Sequence, residues 1–332
     1  MSRGVVVGRR VGRGGPAHDP SPEGERALRR ALAFVEKADA EGTRRVYAGD
    51  WRHFNAWALR AGFEPLPAGP AAVAAYLAAQ AGAYAMSTLR RRLAAVARVH
   101  REAGHGFDSK DPLIRNALRG IAREHAEPLR QAAALTTAEM RRIAAACGGD
   151  PAGLRDRALL LLGYAGALRR SELVGLDAEH LVFREDALEV LVLRSKGDKE
   201  GDGQRVSVGR GRNAGTCPVA ALEAWLRAAG VGRGPVFRRV TRHGTVGARR
   251  LSAEAVRLIL AKRAATAGVE GTRLEPVSPH GLRAGFVTQA YLAGARDEEI
   301  MEHTRHRDVA TMRRYVRRAK LRKGAATAKL DL

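Results

Sequence analysis

Across the first third of the chain, apolar side chains return at helical intervals. Residues 26–40 carry Leu28, Leu32 and Val35 on one stripe, and a segment from Thr43 sets Tyr47, Trp51, Phe54 and Leu59 to one side. Gly62, Pro65 and Pro67 break that segment. Residues 71–81 predict an alanine-rich helix around Val73 and Leu77. From Ser87 onward Leu89, Leu93, Val96 and His100 share a face, while Arg90, Arg91, Arg98 and Arg101 fall largely elsewhere. One more helix is expected over 113–125, after Asp111-Pro112. Residues 26–126 therefore read as an all-helical domain.

Residues 127–134 read as a linker. Thr136-Thr-Ala-Glu139 then offers a capping box, which opens a second domain over 135–332. Residues 155–167, almost wholly apolar over 158–162, predict a buried helix. The period next changes to two. Residues 181–184, 187–194 and 204–208 alternate apolar and polar, separated by Glu185-Asp186 and a Gly/Asp-rich turn over 197–203. That predicts a small antiparallel sheet of about three strands. Helices resume over 217–229, 252–267, 278–292 and 298–303, with a last one near Tyr315. The expected class is mainly α with a small antiparallel β-sheet (α+β). Residues 1–25, rich in glycine and arginine and punctuated by Pro16, Pro20 and Pro22, read as a disordered basic tail.

Charge narrows the partner. Lys and Arg number 58 against 35 Asp and Glu, a formal net charge of +23. Such an excess attracts polyanions, and nucleic acid is the expected partner, bound with a steep salt dependence. Between Ser87 and Arg101 five arginines occur with no acid, so an apolar stripe carries a cationic flank. Arg90, Arg91 and Arg98 are the candidate phosphate contacts; a solvated helix surface is the competing reading. Cys147 and Cys217 are the only cysteines, supporting neither a disulfide framework nor a zinc knuckle. No apolar run approaches the roughly 20 residues needed to span a bilayer. A cytoplasmic, nucleoid-associated protein is the expectation.

The candidate chemistry lies in the second domain, in the order Gly166-Ala-Leu-Arg169-Arg-Ser-Glu172-Leu, Lys196, His280-Gly-Leu-Arg283, His306 and Tyr315. Ser278-Pro279 signals a helix start, which puts His280 and Arg283 on one side of a first turn where anions are attracted. Arg169 follows the buried helix; Arg170 is its rival, and a surface pairing with an acid such as Asp177 is the plainer reading. Lys196 enters the Gly/Asp-rich turn, with Lys199 as its rival, and a lysine near a leaving oxygen can act as general acid. His303 and His306 lack a third ligand, and no carboxylate cluster accompanies them, so no metal or other cofactor is expected. Tyr315 lies among Arg313, Arg314, Arg317 and Arg318, cations that favour an ionised phenol. Guanidinium, imidazole and ammonium groups can hold and protonate a phosphodiester that a tyrosine attacks. The inventory points to metal-free transesterification of a nucleic-acid backbone.

The ordered motifs, closing on Thr304-Arg-His306-Arg-Asp-Val-Ala-Thr311-Met-Arg-Arg-Tyr315-Val, resemble the tyrosine recombinase (phage integrase) family over about residues 43–318. The resemblance implies a helical core-binding domain joined to a catalytic domain, double-stranded DNA as substrate, and assembly on DNA to dimers and a tetramer. It implies that Arg169 and Arg283 hold the scissile phosphate and that His280 assists proton transfer at Tyr315. Lys196 would protonate the departing 5′ oxygen, His306 would donate a hydrogen bond to the phosphate, and Tyr315 would form a 3′-phosphotyrosyl link. Glu172 would support the site from behind. Residues 325–332 would contribute a hydrophobic contact in trans. Two features depart from the family pattern: Arg305 stands where a glycine usually precedes the last histidine, and the hairpin loop carrying Lys196 is long. A type IB topoisomerase-like enzyme and a non-catalytic DNA-binding protein are the alternatives.

Overall fold

The structure is a computed structural model that describes residues 20–37, 41–125, 127–128, 130–193, 203–306, 308–310 and 312–316. The chain divides into two compact units, Met1–Pro128 and Leu129–Leu332.

The first unit holds helices α1 (Pro22–Lys37), α2 (Glu41–Arg60), α3 (Pro70–Ala79), α4 (Met86–Glu102) and α5 (Pro112–His125). Phe54, Tyr76, Leu77, Leu89, Val96 and Ile114 form its core and are fully buried. His100 belongs to this core. Its Nε2 accepts from the Ala68 backbone N–H at 2.7 Å and its Nδ1 donates to the Val96 carbonyl at 2.8 Å, so both ring nitrogens are satisfied.

Two sequence expectations change here. Helix α1 begins at Pro22, inside the stretch read as a tail, because proline at the start and Glu23 and Glu25 in the first turn suit a helix N-terminus. Its apolar stripe is not core: Leu28, Leu32 and Val35 are 55%, 52% and 70% exposed, and Leu59 of α2 is also exposed. Periodicity finds a stripe without saying what covers it.

The second unit runs α6 (Thr137–Ala145), α7 (Pro151–Ala165), α8 (Arg170–Gly175), β1 (Leu181–Phe183), β2 (Ala187–Val192), β3 (Gln204–Gly209), α9 (Pro218–Ala229), β4 (Arg238–Val240), β5 (Val246–Arg250), α10 (Ala253–Thr266), α11 (Pro279–Leu292) and α12 (Asp297–Thr304). The capping box forms: Thr136 Oγ1 accepts from Glu139 N at 3.2 Å, and Glu139 Oε2 accepts from Thr136 N at 2.6 Å. Helix α7 supplies Leu159, Leu160 and Leu162 to a core shared with Leu222 and Trp225 of α9. Strands β1, β2 and β3 form an antiparallel sheet in that order, with Val190 opposite Val206 and Leu188 opposite Val208. These four valine and leucine side chains are buried, as alternation with one covered face requires.

The β4–β5 hairpin was not legible, because its register pairs Arg238 with Arg250 and presents little apolar alternation. The second half of the expected linker is also built in. Gln131 N and Ala133 N donate to the carbonyls of Leu274 and Pro276 at 2.8 and 3.1 Å, and Leu135 N donates to Gly281 O at 3.3 Å. Among the described residues no helix is long and apolar enough to cross a membrane.

Candidate active site

Helix α11 places the first two groups. Its N-terminal turn packs so closely on residues 133–135 that a Cβ at Gly281 would lie 2.3 Å from the Ala133 carbonyl oxygen, and one at Gly285 would lie 2.1 Å from that of Leu135. Glycine is required at both positions. This contact fixes the turn that carries His280 and Arg283. Arg283 is 2% exposed; its Nη1 donates to Ala167 O at 2.7 Å and its Nη2 to Thr304 O. One guanidinium thus ties together the α7–α8 turn and the end of α12. Burial, then the charges of Arg169 and Arg305, pull its pKa down to about 10, which still leaves it cationic at neutral pH. A guanidinium has five N–H groups, so donors remain after these two bonds.

Ala167 adopts φ 46, a conformation that turns its carbonyl toward Arg283 and delivers Arg169 to the start of α8. Arg169 does not pair with Asp177, which instead meets Arg250 at 2.5 Å. Its partner is Glu172: Nη1 lies 2.5 Å from Oε1, and the Arg169 backbone N–H donates to Oε2 at 2.9 Å. The Glu172 side chain is 1% exposed, whereas that of Arg169 is 30% exposed, so the pair is anchored from below and open above. The rival Arg170 is half-exposed and stands 3.7 Å from Glu254.

The end of α12 supplies the next group. Thr304 Oγ1 donates to Ile300 O at 2.6 Å and lies 2.7 Å from His306 Nδ1. A hydroxyl has one proton, and the carbonyl takes it. Nδ1 of His306 therefore carries the proton of that contact, leaving Nε2 of the neutral ring as an acceptor. Burial, then the Arg283 and Arg169 charges, press the His306 pKa down to about 4.

The segment 312–316 is helical and packs Met312 and Val316 against Val287 of α11 and Ile300 of α12. That packing carries Tyr315 to His280, with Oη 2.6 Å from Nε2. The ring centroid of Tyr315 lies 5.9 Å from that of His280 and 6.0 Å from that of His306. Crowding by protein, then the Arg283 and Arg169 charges, holds His280 below the usual histidine range. It is neutral at pH 7, and Nε2 can accept the phenolic proton. Tyr315 corrects one expectation: its pKa is raised, because burial outweighs the nearby arginines. An adjacent base is needed all the more.

Arg169, His280, Arg283, His306 and Tyr315 thus come together, with Glu172 beneath Arg169. Lys196 lies outside the described residues; the strands that flank it pair in register through Val192 and Gln204. Sequence reasoning missed the Ala167 and Thr304 carbonyls as the seats of Arg283, and it missed the burial of Arg305. That side chain is 3% exposed and its Nη2 sits 2.9 Å from Glu172 Oε2. The departure from glycine at position 305 was the available signal. Among the described residues no group of three His, Cys, Asp or Glu side chains could hold a metal ion. On the first unit, Arg91 grips Asp50 with two bonds of 2.7 and 3.0 Å, Arg98 meets Glu102 at 2.6 Å, and Arg90 is exposed.

Comparison with known proteins identifies the family and the fold. Residues 133–322 match the phage integrase family. An integrase/recombinase XerD homolog of Selenomonas ruminantium is 33% identical over 306 residues, covering 91% of this chain and 89% of the relative. The fold is similar to lambda integrase residues 75–356 bound to DNA, with a TM-score of 0.56, 16% identity, and coverage of 83% and 88% of the two chains. It is also similar to a lambda integrase tetramer bound to a Holliday junction, with a TM-score of 0.58, 16% identity, and coverage of 90% and 81%.

Proposed function

Because this chain belongs to the phage integrase family of tyrosine recombinases, we propose that it cuts and rejoins DNA at specific sites through a 3′-phosphotyrosyl link on Tyr315. The observation that carries this reading is the 2.6 Å contact between Tyr315 Oη and His280 Nε2, beside Arg169 and Arg283. The phenolic proton passes to His280 Nε2 as Oη attacks phosphorus. The bond from phosphorus to the 5′ oxygen breaks, and Lys196 supplies the proton to that oxygen. Arg169 and Arg283 hold the non-bridging oxygens, whose charge grows in the transition state. His306 begins neutral with Nε2 as an acceptor, so its donation to the phosphate requires that Nε2 take up a proton as the anion, which favours the charged ring, arrives. One phosphodiester bond replaces another, so a 5′ hydroxyl reverses the step without ATP or metal.

DNA-bound relatives as a dimer or tetramer support assembly of this chain on its site as dimers and then a tetramer. In this reading the first unit grips DNA, with Arg90 as its freest cation of the three named and Arg91 and Arg98 already sharing acids. The C-terminal segment 325–332, outside the described residues, joins protomers. The enzyme acts on the nucleoid in the cytoplasm.

The sign of the His280 shift sets a pH dependence. Only the neutral ring accepts the tyrosine proton, and the pKa lies below 6.5. Adduct formation on a nicked substrate is therefore expected to be level above pH 7 and to fall only as pH drops through the lowered value. A fall that begins well above pH 7 would remove His280 as the base. Lys196→Ala is expected to slow cleavage about 10²-fold or more, as loss of a general acid does. Substituting sulfur for the bridging 5′ oxygen should restore the rate, since a thiolate leaves unprotonated. If the sulfur substrate is cleaved as slowly as the oxygen one, the acid is another group.

A further inference from the structure

We propose that Arg305 is a positioning residue for strand cleavage, acting through Glu172 to keep the Arg169 guanidinium turned toward the scissile phosphate. The inference rests on the assignment of Arg169 to that phosphate. Arg305 occupies the C-cap of α12 at φ 57, ψ 43, the left-handed region that glycine adopts freely and a side chain resists. Its guanidinium is nonetheless drawn inward to 3% exposure, and its Nε and Nη1 are buried without a partner among the described residues. A strained backbone and unpaired buried donors together are costs that persist where the surrounding structure enforces them, and they cluster at functional sites.

Burial rules out a direct grip on DNA in this conformation. The contact Arg305 does make is to Glu172, Nη2 to Oε2 at 2.9 Å. The same carboxylate receives Arg169 Nη1 on Oε1 at 2.5 Å and the Arg169 backbone N–H on Oε2 at 2.9 Å. Glu172 is therefore shared. While Oε2 is held by Arg305 and the backbone, the carboxylate can offer only Oε1 to the Arg169 side chain. Without Arg305, only the Arg169 backbone N–H still holds Oε2, and by sharing or giving up that one bond the carboxylate can turn both oxygens into a fork with the Arg169 guanidinium, the geometry that arginine and carboxylate favour. That fork would compete with the phosphate for the same N–H groups. Arg305 prevents it, and its own charge adds to the field of Arg169 and Arg283, whose cations it faces together with the single carboxylate of Glu172.

The test compares Arg305→Gly, Arg169→Ala and Glu172→Gln, with a double variant Arg305→Gly/Glu172→Gln, in single-turnover adduct formation on nicked DNA. Glycine suits the left-handed backbone, and thermal melting of each variant checks the fold. Arg305→Gly is expected to slow attachment by about 10–10²-fold at saturating DNA while binding changes by less than about two-fold. The substrate supplies the discriminating readout. Replacing one non-bridging oxygen of the scissile phosphate by methyl removes the charge that Arg169 serves. On that neutral phosphonate the Arg305→Gly loss should shrink to within about three-fold, as the Arg169→Ala loss should. In the Glu172→Gln background, Arg305→Gly should add less than about three-fold, because the two positions act in series. A full-rate Arg305→Gly, an equal loss on both substrates, or a loss undiminished by Glu172→Gln would each overturn the proposal. Absence of a Tyr315 adduct in the unaltered protein would instead overturn the reading on which it rests.

Discussion

Tyr315→Phe is expected to form no covalent complex with DNA while binding it within about two-fold of the unaltered protein, since only a group that acts in the transition state is removed. The substitution deletes one oxygen. The ring remains to pack in the cluster of Val287, Ile300, Met312 and Val316, so the segment keeps its seat on α11 and α12. His280 loses its 2.6 Å contact but sits at an exposed position where water can replace it. The measurement is a denaturing gel of a nicked suicide substrate, in which the cleaved strand cannot religate. Persistent attachment by the phenylalanine variant would move the nucleophile elsewhere. Tyr291, packed on the same cluster, would be the next residue to replace.

Arg169→Ala carries the second largest expected effect. Loss of one donor to a developing oxyanion costs about 10²–10³ in rate, and here the loss also leaves Glu172, 1% exposed, with one cation fewer. Arg283→Ala should lose at least as much, for an added reason. Its guanidinium seats the carbonyls of Ala167 and Thr304, and stranding buried acceptors costs about 1–3 kcal/mol each. Melting temperature should therefore fall for Arg283→Ala more than for Arg169→Ala. Arg170→Ala is the control. It is half-exposed and its acid stands 3.7 Å away, so cleavage should stay within a few-fold. Equal losses at 169 and 170 would mean that the wrong arginine faces the phosphate.

The candidate groups that the structure brings together, Arg169, His280, Arg283, His306 and Tyr315, could be picked out because their order along the chain is a chemical inventory. The helices that carry them were legible because α4 and α11 announce themselves by period and by start signals, as Ser278-Pro279 does for α11. What escaped was everything set by tertiary contact. Nothing local marks Ala167 for φ 46, the conformation in which its carbonyl meets Arg283. The basic flank of α4 looked uniform, yet Asp50, from a helix 41 residues earlier, takes Arg91 with two bonds. The arginines around Tyr315 suggested a lowered phenol pKa, whereas burial, invisible in sequence, pushes it up. Leu28, Leu32 and Val35 have the right spacing for a core face and lie exposed. Residues 131–134 fell within the stretch read as linker because the backbone pairing of Gln131 and Ala133 to Leu274 and Pro276 leaves no side-chain signature.

The central claim is that Tyr315 itself becomes joined to the 3′ phosphate of cut DNA. The most direct measurement uses the unaltered full-length protein, a nicked duplex bearing its recombination site, and EDTA in the buffer. The trapped complex is digested and the peptide that carries the nucleotide is sequenced by mass spectrometry. The account predicts a single modified residue, Tyr315, linked to a 3′ phosphate, with a free 5′ hydroxyl on the released strand. A modification on another residue, a 5′-phosphate linkage, or attachment that appears only when divalent metal is restored would contradict it.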